Sequence, residues 1–196
     1  ISQLASQFNQ TEKQLSARIE KIRTKLFNVR EERVHPQKDD KILTDWNGLM
    51  IAAMARAGAV LNNDTYAIAA IKAMDFLLEN LMKKDGSLMK RHRNGNSGLT
   101  GVLDDYAFTI WALIGLYELN YDEKYLEIAM DPSEYQIDQF WDFDNHGFFF
   151  SASSGEELLV RSKEVYDGAI PSGNSVSAFN FIRLARMTSR PDFEDI

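Results

Sequence analysis

Hydrophobic positions recur along this chain with the periods of helices. Between Thr11 and about Glu32, Leu15, Ile19, Ile22, Leu26 and Val29 fall four and three residues apart, with Lys, Arg and Glu between them. That spacing puts one apolar stripe on an otherwise charged helix, and predicts a helix resting on a larger core or a short coiled coil. Residues 34–41 are polar, contain Pro36, and read as a connector. A second helix starts at Thr44, a candidate cap, and runs to about Asn62. Its Ala and Met residues make it apolar nearly all round, the pattern of a helix buried on more than one side. After the turn Asn62-Asn63-Asp64, a third helix with a more polar outer face extends from Thr65 to about Lys83. Asp85-Gly86 stops it, and residues 87–91 are expected to be extended.

The same grammar then repeats. Residues 103–119 form a second apolar helix, Asn120-Tyr121-Asp122 a turn, and Glu123 to Trp141 a second, more polar helix. Asp131-Pro132 is expected to divide that helix, since Pro removes an amide donor. Phe148-Phe149-Phe150 reads as a short strand and as core. A third apolar helix begins near Ser172 and runs to about Thr188. Leu61-Asn62 overlays Leu119-Asn120, Tyr66 overlays Tyr125, Phe76 overlays Tyr135 and Asp85 overlays Asp144, at offsets of 58 or 59 residues.

A helix pair repeated with this period, apolar then amphipathic, fits two concentric helical layers. The fold expected is therefore all-α, with αα-hairpins forming about half of an (α/α)6 toroid. Residues 1–196 make one partial toroid domain: 1–41 a leading helix and connector, 42–196 about two and a half hairpins. An incomplete ring leaves apolar edges near Leu49 and Phe179, and self-association of the chain is expected through them.

Composition narrows the chemistry. Apolar residues make up 44% and charged residues 26%, which supports a packed core. The formal net charge of −7 disfavours a nucleic-acid surface. There is no Cys, so disulfides, thiolate catalysis and Cys-based metal sites are excluded within the chain. The histidines, His35, His92 and His146, are scattered, and neither a metal nor a cofactor is expected. No run of about eighteen apolar residues is present, so no membrane-spanning helix is expected, and no signal peptide is visible; the expected compartment is the cytoplasm.

Each apolar helix opens on a polar cluster: Thr44-Asp45-Trp46-Asn47-Gly48, Leu103-Asp104-Asp105-Tyr106 and Ser172-Gly173-Asn174-Ser175. If the three helices run parallel in an inner layer, these clusters meet at one end, where free amides and positive dipole ends also gather. Carboxylates, amides and aromatic rings there suit a small carbohydrate: Asp and Asn grip hydroxyls, and Trp or Tyr covers a ring face. Trp46, Asn47, Tyr106, Tyr166, Ser172 and Asn174 are the candidate binding residues. Helix capping alone accounts for any one cluster, at about 1 kcal/mol per cap. Asp104 and Asp105 are different, because adjacent helical residues lie about 100° apart and only one of the pair is free to cap. Asp105 is taken as the leading acid/base candidate, ahead of Asp104. The loop 162–172 adds Glu164 and Asp167 as candidate partner carboxylates, with a salt-bridged surface loop as the alternative. The basic patch Lys90-Arg91-His92-Arg93 reads as a solvated loop.

Residues 39–50 (Asp39-Asp40-Lys41-Ile42-Leu43-Thr44-Asp45-Trp46-Asn47-Gly48-Leu49-Met50), 103–108 and 163–175 form three ordered blocks that resemble the signature blocks of the YyaL/spermatogenesis-associated protein 20 family. The resemblance runs from about Thr11 to Arg190. It implies a thioredoxin-like domain followed by a six-hairpin αα-toroid similar to sugar epimerases and glycosidases, with this chain matching the first half of the toroid. The family usually carries Ser where this chain has Asp45. Histidines of the kind sugar 2-epimerases use have no counterpart here. Two functions follow as expectations: a glycosidase- or epimerase-like carbohydrate-active domain, or a non-catalytic binding or scaffolding module serving the thioredoxin-like domain.

Overall fold

A computed structural model describes all 196 residues, in two compact units, Ile1–Asp39 and Asp40–Ile196. The first holds helices α1 (Ser2–Gln7) and α2 (Glu12–Glu31). Thr11 caps α2 in a reciprocal box: Gln14 N–H donates to Thr11 Oγ1 (3.2 Å) and Thr11 N–H to Gln14 Oε1 (2.9 Å). Only Leu15 of the apolar stripe is buried. Ile19, Ile22, Leu26 and Val29 are exposed, because six-residue α1 is too short to cover them within that unit.

The second unit runs β1 (Ile42–Leu43), α3 (Thr44–Leu61), α4 (Asp64–Asn80), β2 (Met89–Arg93), β3 (Asn96–Thr100), α5 (Leu103–Asn120), α6 (Lys124–Phe140), α7 (Gly173–Thr188) and a final 3-10 turn, Pro191–Asp195. The repeat is structural as well as sequential. α5 begins 59 residues after α3 (Thr44 to Leu103), and α6 begins 60 after α4 (Asp64 to Lys124). Helices α3, α5 and α7 all end on a left-handed residue, Asn62 (φ 48°), Tyr121 (φ 58°) and Ser189 (φ 58°), which turns the chain sharply at the same point of each repeat.

Small residues decide the spacing of the layers. A Cβ on Gly48 would stand 2.7 Å from the Phe108 carbonyl carbon, so α3 and α5 meet nearly backbone to backbone. Ala52 and Ala55 face Gly115 further along the same seam. α5 is consequently buried along most of its length, including Tyr106, Phe108, Ile110, Leu113 and Leu116. Ala107, Phe108 and Val176 form a smaller cluster against which Leu49 packs. Apolar side chains are open near both expected edges, at Met50 (57% exposed) beside the half-buried Leu49 and at Phe179 (51%).

Three expectations are corrected. Thr44 does not cap α3; it is the first helical residue, and its hydroxyl donates to the Met89 carbonyl at 2.5 Å. Pro132 does not divide α6, which continues unbroken past it. There the Gly86 turn (φ 79°) lies against the helix backbone, so close that a Cβ would come within 2.5 Å of the Asp131 carbonyl oxygen, and tertiary packing holds the helix together. Residues 148–150 form no strand. Phe148 makes one isolated bridge with Trp141 and stacks on Phe181, with centroids 5.6 Å apart.

The patch at 90–93 is not a solvated loop either. It is strand β2, central in an antiparallel sheet ordered β1-β2-β3, with Leu43 opposite Arg91 and Arg91 opposite Gly98. Asn94 (φ 51°) and Gly95 (φ 75°) make the tight turn between β2 and β3. No helix is long and apolar enough to cross a membrane.

Candidate functional site

The two adjacent aspartates at the start of α5 reach to opposite sides. Asp105 turns toward α3. Its Oδ2 accepts from Val102 N–H (2.8 Å), closing the first turn of α5. Its Oδ1 accepts from the Asp45 N–H at the start of α3 (3.0 Å) and from Lys90 Nζ (3.2 Å). Asp105 is 0% exposed. Asp104 turns toward α7, where a Cβ on Gly173 would lie 2.4 Å from its Oδ1. The starts of α3, α5 and α7 therefore meet at one end, as parallel inner helices require. The 100° between neighbouring helical residues is what lets one dipeptide serve both sides.

Lys90 crosses this end from β2. Its Nζ donates to Asp45 Oδ2 at 2.7 Å as well as to Asp105. Burial pushes the Asp105 carboxyl up to about 7, against the pull of Lys90 and the Val102 amide, with the Asp45 charge adding to the rise. Asp104 is half-buried and also raised. Burial is the main cause; Lys90 and the Gly173 amide pull it down, and the charges of Asp45 and Glu164 add to the rise. Burial depresses Lys90, but Asp105 and Asp45 more than compensate and leave it above the ordinary lysine range.

The other candidates divide into open and occupied. Trp46 is 62% exposed and Tyr166 85% exposed, both available to a ligand. Glu164 is exposed and close enough for its charge to act on Asp104. Tyr106 is fully buried, stacked on Tyr135 at 5.4 Å, and its hydroxyl accepts from Leu88 N–H (2.9 Å). Asn174 accepts from Phe148 N–H (2.7 Å) and donates to the carbonyls of Phe148 (2.9 Å) and Glu164 (2.8 Å). Tyr106 and Asn174 thus do the same work in successive repeats: the first turn of an inner helix pins the loop that follows the preceding outer helix.

Asn47 donates to the Leu43 carbonyl (2.8 Å). Ser172 caps α7 by accepting from Ser175 N–H (3.1 Å). Asp167 accepts from Ser172 N–H (2.8 Å) and Ser175 Oγ (3.1 Å), bonds that hold its carboxyl below the usual range and make it a brace for the helix start. Lys90 is the site residue that sequence reasoning missed. Its signal was Asn94-Gly95, the pair that most strongly marks a tight hairpin, which makes 89–93 a strand and gives Lys90 a fixed direction.

No family model matches the chain. Over 87% of its length it is 38% identical to human spermatogenesis-associated protein 20 and 36% identical to the rat protein, and it spans 23% of the length of each. The resemblance to that family seen in the signature blocks is thus carried by most of the chain. Among solved structures, cellobiose 2-epimerase from Bacillus thermoamylovorans is similar with a TM-score of 0.65 at 16% identity, covering 81% of this chain and 43% of the epimerase. An α-1,6-mannanase of Salegentibacter sp., an inactive variant with two consecutive aspartates replaced by asparagine and bound to α-1,6-mannotriose, is similar with a TM-score of 0.63 at 15% identity, covering 79% and 44%. These likenesses show the fold: the chain has the helical architecture of the six-hairpin, glycosidase-like (α/α)6 toroids and matches under half of one.

Proposed function

We propose that the shared end of α3, α5 and α7 is a carbohydrate site with Asp104 as its acid/base group. The observation that carries this reading is the division of labour within the aspartate pair. Asp105 is hidden and bonded at both oxygens, whereas Asp104 stays half-open beside Glu164, its carboxyl raised chiefly by burial. A carboxyl raised by burial is suited to donate to a leaving oxygen, and the neighbouring Glu164 is the candidate for the complementary role. Trp46 offers the flat apolar face on which a pyranose ring stacks. The mannanase relative in fold, inactive when two consecutive aspartates are replaced, supports assigning chemistry to the Asp104-Asp105 pair.

Ligand-observed NMR of the chain with α-1,6-mannotriose and cellobiose tests the reading, with Asp104→Asn and Trp46→Ala alongside. Binding to wild type that Trp46→Ala weakens, followed by turnover that Asp104→Asn abolishes without unfolding, is the expected result. Binding without turnover would instead identify a non-catalytic binding module. One observation favours that second reading: Tyr106, Asn174, Ser172 and Asp167 spend their polar groups on the scaffold, leaving few for a reacting sugar.

A further inference from the structure

We infer that Lys90 sets the charge preference of this site: its ammonium is committed to Asp45 and Asp105, so the site accepts uncharged sugars and rejects anionic ones. The inference rests on the carbohydrate reading above and narrows it.

Four carboxylates surround this end of the molecule, Asp45, Asp104, Asp105 and Glu164, and Lys90 is the cation that reaches among them. An arriving uronate or phosphate needs a cation with donors to spare. Lys90 is held at 2.7 Å by Asp45 and 3.2 Å by Asp105, and only 24% of its side chain is exposed. The neighbouring cations are also engaged or turned away. Arg93 pairs with Asp40 at 2.5 Å, and Lys163 pairs with Asp142 at 2.7 Å and with the His146 carbonyl. Arg91, next to Lys90 on β2, projects from the opposite face, since successive strand residues alternate. Glu164 is left as the open carboxylate beside Asp104. Hydroxyls donate to such a group; a second carboxylate is repelled by it.

The device holding Lys90 is specific enough to be undone. Asp45 lies on the first turn of α3, and its side chain makes two bonds: Oδ2 to Lys90 and Oδ1 to the Trp46 amide (2.8 Å). Asp45→Asn keeps an oxygen for Trp46 N–H while removing the charge that binds Lys90 most closely. It converts a cation matched by two carboxylates into one paired with Asp105 alone, with charge and two donors left for a ligand.

The experiment compares cellobiose with cellobiuronic acid, which differ by one carboxylate, in ligand-observed NMR on this chain and on Asp45→Asn. Wild type is expected to bind cellobiose and to bind the uronate at least about tenfold more weakly, a difference of about one decade in Kd. Raising salt should narrow that gap by screening the repulsion, which needs no variant. Asp45→Asn should strengthen the uronate about tenfold and leave cellobiose within about twofold. Lys90→Arg, which keeps the cation and its pairs, should leave the preference unchanged. Equal or tighter uronate binding by wild type would overturn the assignment while leaving the sugar site standing. Failure of both sugars to bind folded protein would overturn both.

Discussion

The two flanks of α5 are made from the same parts and put to different uses. On each side an aspartate of the first turn faces the start of a neighbouring inner helix, and on each side a glycine lets the partner approach: Gly48 toward α3, Gly173 toward α7. On the α3 flank the glycine faces backbone, Asp105 is wholly enclosed, and the strand residue Lys90 completes the set. On the α7 flank the glycine faces the side chains of Asp104 and Leu103, and the loop carrying Glu164 and Tyr166 stands open. The same motif is thus a rivet where it is closed over and a candidate reactive group where it is left ajar.

Removing the rivet should have the largest effect. Asp105→Ala leaves the Asp45 and Val102 amides without their acceptor and Lys90 with Asp45 alone, and should cost about 3–5 kcal/mol in urea unfolding, whereas Asp104→Ala should cost well under half as much. Equal losses would mean the flanks are not different in kind. Next in size, Gly48→Ala forces a methyl into the Phe108 backbone and should cost about 1–3 kcal/mol. Gly173→Ala meets side chains that can yield, so its melting temperature should fall less and its main effect should be on Asp104 titration, read by carboxyl NMR.

The pH dependence separates the flanks more finely. Asp105 titrates near 7 when folded and near 4 when unfolded, so between those values the folded state holds the proton that the unfolded state has lost. Its contribution therefore makes stability fall as pH rises from about 4 to 7, with a slope of at most about 1.4 kcal/mol per pH unit. Asp105→Asn should flatten that slope in denaturant midpoints taken at several pH values; an unchanged slope would assign it elsewhere. Smallest of all, Asp104→Asn should move stability by less than about 1 kcal/mol, because one half-open carboxyl group is exchanged for an amide of the same size.

The helices were legible in the sequence because burial around α3 and α5 is written in their Ala, Met and Leu residues, and because the repeat states the pattern twice. Helix α7, expected to begin near Ser172, was found for the same reason, and the structure adds that Ser172 caps it. The site was legible only as a neighbourhood. Glu164 and Trp46 lie there as open groups, but Tyr106 and Asn174 carry the same polar atoms and are spent on pinning loops, a use that depends on partners 18 and 26 residues away. Lys90 looked like one of four basic residues in a loop until β-pairing gave it a direction.

Local periodicity and the 59-residue repeat thus determined that this chain makes alternating apolar and amphipathic helices, each apolar one opening on a polar cluster. Those properties follow from spacing along the chain, which the sequence states outright. Which aspartate is closed over, which lysine is spent and which aromatic ring faces outward were decided only by the tertiary structure. Burial and hydrogen-bond partnership are relations between distant segments, and two neighbouring aspartates become chemically different only once separate helices have packed against each.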